Sequence, residues 1–358
     1  MTQTAGKLTY SEIAGQSEAL SAAWRELENQ QDWIRRYIGN EEFDEVVFIG
    51  SGSSYYQALT MASSYRKWMG RRASAHPSSE IFLFREQAVG SGGNMLLVGV
   101  SRSGESTEVI LAMEAVQNDP SWTLCGITCC EDSRMAKLAP CLVSPLGREE
   151  STVMTKSFSS MTFMMQGAIA YASAQGSGRA QAGVMEGLQQ CMQRSGDVVN
   201  GADAFAKQIV NHMTFSKYMY LGMGAYQGLS LEASLKIKEM SCVWTESFGT
   251  LEFRHGPKSI VEPGTFVCLL LSQQARSYEL KVAEEMKGYG AYTVIICAEP
   301  GEDTAFADQV FDLRSPDVED EARAVLYLPV LQYLGYYTAL SKKLNPDYPR
   351  HLTQVVKI

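Results

Sequence analysis

VVFIGSGSSYYQALTMASSYRKW, residues 46–68, runs from an apolar strand through a turn of glycine and serine into a helix. YMYLGMGAYQGLSLEASLKIKEM, residues 218–240, repeats that order: strand, Gly-x-Gly, aromatic residue, helix. The spacing downstream agrees as well. Gly52 precedes Ser101 by 49 residues, Gly224 precedes Ser272 by 48, and both serines end an apolar strand. A restart at a fixed interval predicts two copies of one α/β unit, packed face to face.

Around these two anchors the first half carries the strand-like runs EVVFIG, NMLLVGVS, LCGITC and CLVSPL, and the second KYMYLGMG, FVCLLLS, YTVIICAE and QVFDL. Strands alternating with helical stretches predict βαβ units and parallel sheets. The first 40 residues show helical spacing, with Ile13, Leu20, Trp24, Leu27, Trp33 and Ile34 as the inward stripe. The expected organisation is a helical segment over 1–40, one unit over 41–200, a second over 201–340 and a C-terminal tail over 341–358, with the polar stretch Gly196 to Asp203 as the seam.

Composition narrows the class. Over 358 residues, 45% apolar and 20% charged content describes a globular chain with room for two cores. No apolar run approaches the roughly 20 residues of a membrane helix, and MTQTAGKLTYSE lacks the pattern of a secretory signal. A net charge of −9 disfavours nucleic acid as a partner. The eight cysteines form no C-x-x-C pair and the four histidines lie apart, at 76, 212, 255 and 351, which argues against a zinc site and a disulfide framework. Neither a metal nor a cofactor is expected. Cysteines in runs such as FVCLLL fit buried, reduced thiols and a cytoplasmic setting.

In an open parallel sheet, ligands sit beyond the C-terminal ends of the strands. Two hydroxyl-rich segments fall there: Ser51, Ser53 and Ser54, then Ser101, Ser103, Ser106 and Thr107. Such turns opening a helix present backbone donors and a positive dipole end, which suits a phosphate. Arg102 adds a candidate charge-assisted donor. Serine and glycine also cap helices, but two such segments in one half favour the anion. Neither segment matches a P-loop or a dinucleotide fingerprint.

The second half differs. SRSGEST has become SQQARSY, and the helix instead carries Glu232, Leu235, Lys236 and Glu239 along one face. That grouping makes a carboxylate with a shifted pKa possible; the ordinary alternative is a solvated face with i,i+4 pairing. His255, in RHGP, stands beside a tight turn, and a histidine titrates near neutrality and so can carry a proton.

GSGSS after the first strand, SRSGEST, SLEASLKIKEM and RHGPKSIV together resemble the sugar isomerase (SIS) domain, present twice, over about residues 40 to 358. The layout resembles the isomerase half of glucosamine-6-phosphate synthase, and EFRHGPKSIVEPGTFVCLLLS is closer to the galactosamine-6-phosphate deaminase/tagatose-6-phosphate ketose–aldose isomerase group. The resemblance implies two flavodoxin-like parallel sheets flanked by helices and a phosphosugar ligand. It places the phosphate loop on Ser101, Arg102, Ser103 and Ser106, helped by Ser53 and Ser54. It assigns the enolisation base to Glu239, ring opening to His255 and sugar contacts to Glu232 and Lys236. It also implies a homodimer whose subunits share the site, and a tail that closes it.

Two departures bear on the reaction. The chain runs directly into the isomerase-like part without a glutaminase domain, and the synthase's Schiff-base lysine in the tail falls on Gln354, with Lys357 out of register. The expected reaction is therefore a 1,2-proton transfer on an amino-hexose 6-phosphate with loss of ammonia. A deglycase of a phosphorylated Amadori compound is the second candidate, and a non-catalytic phosphosugar sensor the third.

Overall fold

The computed structural model describes residues 5–90, 92–175 and 183–356. Ten strands form two five-stranded sheets. The first holds β1 (Glu45–Gly50), β2 (Ala73–Pro77), β3 (Met95–Val100), β4 (Trp122–Thr128) and β5 (Cys141–Val143), in the order β2-β1-β3-β4-β5. The second holds β6 (Lys217–Leu221), β7 (Thr245–Phe248), β8 (Thr265–Leu270), β9 (Tyr292–Cys297) and β10 (Gln309–Asp312), in the order β7-β6-β8-β9-β10. Every pairing is parallel. Counted from its own first strand, each sheet has the order 2-1-3-4-5, the flavodoxin-like arrangement. The repeat in the sequence is a repeat of topology.

The central strands β3 and β8 are buried at every residue, because helices cover both faces of each sheet. The glycines of the two quoted turns do the same jobs twice. A Cβ on Gly50 would lie 2.4 Å from the backbone of Ser54, and one on Gly222 would lie 2.7 Å from the carbonyl oxygen of Tyr226. The helix folds back over the strand end too closely for any side chain. Gly52 and Gly224 then take φ of 57° and 60°, the left-handed side that glycine enters freely.

The N-terminal segment forms three helices, Lys7–Ala14, Gln16–Asn29 and Gln31–Arg36. Ile13, Leu20, Leu27 and Ile34 are buried, while Trp24 and Trp33 pack partly exposed against the core. Gly196 to Asp203, expected as a seam, lies inside helix Val184–His212. Its polar residues alternate with buried Val198, Val199 and Ala202, so the apolar stripe of that helix continues unbroken. One hydrophobic cluster includes residues of both sheets and of helices Lys156–Gln175 and Leu328–Ser341, joining the units through a common core.

All eight cysteines are free thiols. Burial pushes the thiols of Cys125, Cys129 and Cys268 up, which keeps them un-ionised and poorly nucleophilic. Among the described residues no helix is long and apolar enough to cross a membrane, and no group of three or more His, Cys, Asp or Glu is placed to hold a metal ion.

Candidate active site

Helix Ser53–Met69 starts at the end of β1, and helix Gln227–Ser241 follows the short turn Gly224–Tyr226 after β6. The two helices pack on each other, one from each unit. The N-terminal end of the first and the C-terminal half of the second face a cavity of about 320 Å³, in the size range of small-molecule sites. Ser51 to Ser54, Ser103 and Ser106 line one part of it; Leu235, Lys236 and Glu239 line another; Leu352, Thr353, Gln354 and Val356 of the tail complete the wall.

On the serine side, two helix N-termini converge, those of Ser53–Met69 and Thr107–Glu114. Unpaired N–H groups and the helix dipole make such ends anion seats. The loop between β3 and Thr107–Glu114 is stiffened from within. Ser101 Oγ accepts the Gly104 N–H at 3.1 Å and lies 3.3 Å from Ser106 Oγ, and Ser103 Oγ accepts the Glu105 N–H at 3.1 Å. Gly104 adopts φ of 64°, and a Cβ there would meet Ser133 Oγ at 2.1 Å. Ser103 and Ser106 face the cavity, whereas Ser101 is buried behind it as a pin for the loop.

Arg102 has partners of its own within the chain. It borders the cavity, but its guanidinium pairs with buried Glu149 at 3.4 Å and donates to the carbonyls of Thr152 and Gln354, each at 3.2 Å. Glu149 in turn accepts the N–H groups of Thr155 and Ser157 at 2.7 Å. The arginine ties the serine loop to the segment 149–157 and to the tail. Gln354 reinforces that tie by donating to the carbonyls of Glu150 and Ser151. Lys357 lies outside the described residues.

On the opposite wall, Lys236 sits between Glu239, at 2.5 Å, and Glu232, at 3.4 Å, with Ser53 Oγ donating to Glu232 across the unit boundary at 3.2 Å. Glu232 and Lys236 are both 1% exposed, and Glu232 stands behind the wall rather than in it. Burial raises the Glu232 carboxyl to about 8 against the pull of Lys236, and its Oε2 has no partner among the described residues. For Lys236, burial opposes the charge but the two carboxylates outweigh it and raise its pKa. Lys236 thus pairs with Glu239 on the cavity side and reaches Glu232 behind it. The carboxyl with the shifted pKa is therefore Glu232, while Glu239 is the one that opens onto the cavity.

His255 is elsewhere. It caps the turn Glu252–Arg254, is exposed, and lines no part of this cavity. Gly256, at φ of 120°, turns the chain into Pro257–Ile260, and Glu285 holds the turn through Arg254 at 2.8 Å and Lys258 at 2.5 Å. The chain thus unites Ser53, Ser54, Ser103, Ser106, Arg102, Lys236 and Glu239 around one space, with Ser101 and Glu232 supporting it, and keeps His255 apart.

Glu108, Thr152 and Met154 also line the cavity, outside the motifs named from the sequence. Glu108, in the first turn of its helix, has no hydrogen-bond or ion-pair partner among the described residues. Its spacing after Ser106 was the available signal.

The second unit's equivalent loop is already filled. Glu279 accepts the Ser272 N–H at 2.8 Å, the Ser272 hydroxyl at 2.7 Å and the Thr250 hydroxyl at 2.9 Å. Asp320 accepts the N–H groups of Gln273 and Gln274 at 3.0 and 3.1 Å. Asp320 is itself held by Arg323 and by Tyr226, whose hydroxyl donates at 3.0 Å. Two of the protein's own carboxylates occupy the donors that a ligand anion would need.

A doubled flavodoxin-like unit with a hydroxyl-lined cavity at its strand ends defines the class, and the family model agrees: the chain belongs to the SIS domain family, matched over residues 42–171 and again over 216–341. Among solved structures it is similar to a glucosamine-6-phosphate deaminase from Thermotoga maritima, at 29% identity and TM-score 0.73, covering 94% of this chain and all of that one. The fold also matches tagatose-6-phosphate ketose/aldose isomerase from Escherichia coli, at 22% identity and TM-score 0.84, covering 97% of this chain and 96% of that one. A curated relative, glutamine–fructose-6-phosphate aminotransferase (isomerizing) from Thermococcus kodakarensis, is 24% identical over 91% of this chain and 54% of its own length. The chain spans about half the length of such relatives.

Proposed function

We propose that the protein is a phosphosugar isomerase whose substrate is an amino-hexose 6-phosphate, and that it releases ammonia after a 1,2-proton transfer. The observation that carries this reading is the facing of Glu239 and Lys236, from one unit, toward the serine loop of the other across a single cavity. Ser53, Ser54, Ser103 and Ser106, with two helix N-termini, hold the phosphate. Glu239 takes the proton from C2 of the open-chain amino sugar and returns it at C1, passing through an enaminol. The Lys236 ammonium, buried beside it, offsets the negative charge on the oxygen that develops in between. Water then hydrolyses the C2 imine to a ketose 6-phosphate and ammonia. Glu232, Ser101 and Arg102 hold these groups in place without touching the substrate.

His255 opens the ring in this reading, and it comes from a second subunit, because its own chain keeps it away from the cavity. The names of the similar proteins, a glucosamine-6-phosphate deaminase and a tagatose-6-phosphate isomerase, support a phosphorylated hexose as substrate.

The test is a panel of hexosamine 6-phosphates and ketose 6-phosphates, assayed for ammonia and for isomer formation. Ammonia release from a hexosamine 6-phosphate is expected. Absence of both turnover and binding across the panel overturns the proposal.

A further inference from the structure

A cavity of about 410 Å³ lies at the β10 edge of the second sheet and shares no residue with the cavity of the candidate active site. One wall is a single helix face: Arg194, Asp197, Val198 and Gly201 recur at i, i+3, i+4 and i+7 on Val184–His212. The other wall is the end of β10 and the residues that follow it, Phe311, Asp312, Leu313 and Arg314. The cavity thus stands at the carboxyl end of a parallel strand, the end at which such sheets receive ligands.

Its lining combines two kinds of surface. Val198, Phe311 and Leu313 are buried and make an apolar floor, with the Phe311 ring held edge-on against Phe205 at 5.1 Å between centroids. Four charged side chains border that floor, two of each sign. Arg194 and Asp197 are spaced to pair along the helix, yet Arg194 donates to the carbonyl of Arg314 instead. Among the described residues neither guanidinium has an acidic partner, and the Asp197 carboxylate has neither a hydrogen bond nor an ion pair. Arg314 takes φ of 51°, a left-handed conformation uncommon outside glycine. Its backbone is pinned there from both sides, by Arg194 on its carbonyl and by Asp312, which accepts its N–H at 2.7 Å. A simple anion in this space meets two carboxylates, and a simple cation meets two guanidiniums. A ligand with one charge of each sign and an apolar body suits every surface.

We infer that this cavity is a second ligand site, and that it takes an α-amino acid with an apolar side chain, bound as the zwitterion. Arg314 and the N–H groups that Arg194 has to spare hold the carboxylate. Asp197 and Asp312 hold the ammonium, and the side chain lies on Val198, Phe311 and Leu313. Binding is reversible and makes no covalent bond. It is independent of the reaction proposed for the other cavity.

Calorimetric titration of the full chain tests this. Leucine and phenylalanine are the probes; 4-methylpentanoate and 3-methylbutylamine keep leucine's side chain but lack its ammonium and its carboxylate respectively. One equivalent of amino acid per polypeptide is expected, with each truncated analogue weaker by roughly tenfold or more, the scale of one lost charge-assisted contact. D197N and R314Q, both at exposed positions, are expected to weaken leucine by a similar factor, while E239Q, altered in the other cavity, leaves leucine binding unchanged. Absence of saturable amino-acid binding overturns the inference. Equal affinity for leucine and 4-methylpentanoate also overturns it, since the cavity is then a plain carboxylate seat. Unchanged leucine affinity in both D197N and R314Q does the same, because the amino acid then binds elsewhere. A shift of oligomeric state in those variants, without amino-acid binding in the parent, assigns the cavity to a contact between copies and overturns it too. None of these readouts involves a sugar phosphate, so the proposed function stands or falls separately.

Discussion

A Cβ placed on Gly228 would stand 2.3 Å from the carbonyl oxygen of Tyr56. Helices Ser53–Met69 and Gln227–Ser241 touch backbone to backbone at that point, and Ser53 meets Glu232 about one turn to either side. The two units owe the shape of their shared cavity to this crossing. G228A forces the helices apart, with an expected loss of roughly 1–3 kcal/mol, the usual cost of overpacking. Urea midpoints and kcat measured together check it: activity is expected to fall even at temperatures where the variant is fully folded.

E239Q keeps the shape of the side chain and removes the base. Turnover is expected to fall by roughly 10²–10⁴-fold, the range of general-base contributions, while calorimetry still detects phosphosugar binding. An unchanged rate excludes Glu239 as the base. A sensor, by contrast, keeps its whole ligand response in this variant.

Glu232 gives a pH prediction. Its pKa is raised by burial from an ordinary value of 4.5 to about 8. The folded state therefore holds a proton that the unfolded chain has released, so stability is full below pH 4.5 and declines as pH climbs toward and past 8. The raised pKa of Lys236 acts above its ordinary value of 10.5, outside this window. E232Q is expected to flatten the decline, a difference of order a few kcal/mol at the alkaline end, read from denaturant midpoints between pH 5 and 9. Parallel curves for the two proteins refute it.

If His255 acts in the neighbouring subunit's cavity, two dead variants complement each other. E239Q and H255A, each inactive alone, are expected to regain part of the wild-type rate after mixing and subunit exchange. No recovery, with exchange shown by a labelled subunit, means that the histidine serves its own chain or none.

Asp320 holds Gln273 and Gln274 and is paired with buried Arg323. D320A strands that guanidinium and is expected to cost roughly 3–5 kcal/mol, as broken buried pairs do. KM for phosphosugar in the surviving folded protein is expected to stay put. S106A should show the opposite pattern, with stability kept and KM raised.

Much of the fold was legible because its signals are local and repeated. The apolar run ending at Gly50-Ser51-Gly52 and its twin ending at Gly222-Met223-Gly224 each state a strand, a close approach and a left-handed turn. Glu232, Lys236 and Glu239 share a helix face by spacing alone, so their grouping could be read as well. What each does could not. Which carboxyl is buried depends on helix packing from the other unit, and that decides between Glu232 and Glu239. Arg102 reads as a phosphate ligand in its motif, yet Glu149, distant in sequence, claims its guanidinium. The same holds for Gly196 to Asp203, which looks polar as a string and is an unbroken helix once its buried side has a partner.

The carboxylates of Glu279 and Asp320, seated where the second unit would otherwise receive a guest, carry a consequence for stoichiometry. A protein with two copies of one architecture invites the expectation of two equivalents of ligand, but here the duplicate vacancy is plugged by permanent residents. Titrations should saturate at one sugar phosphate per polypeptide.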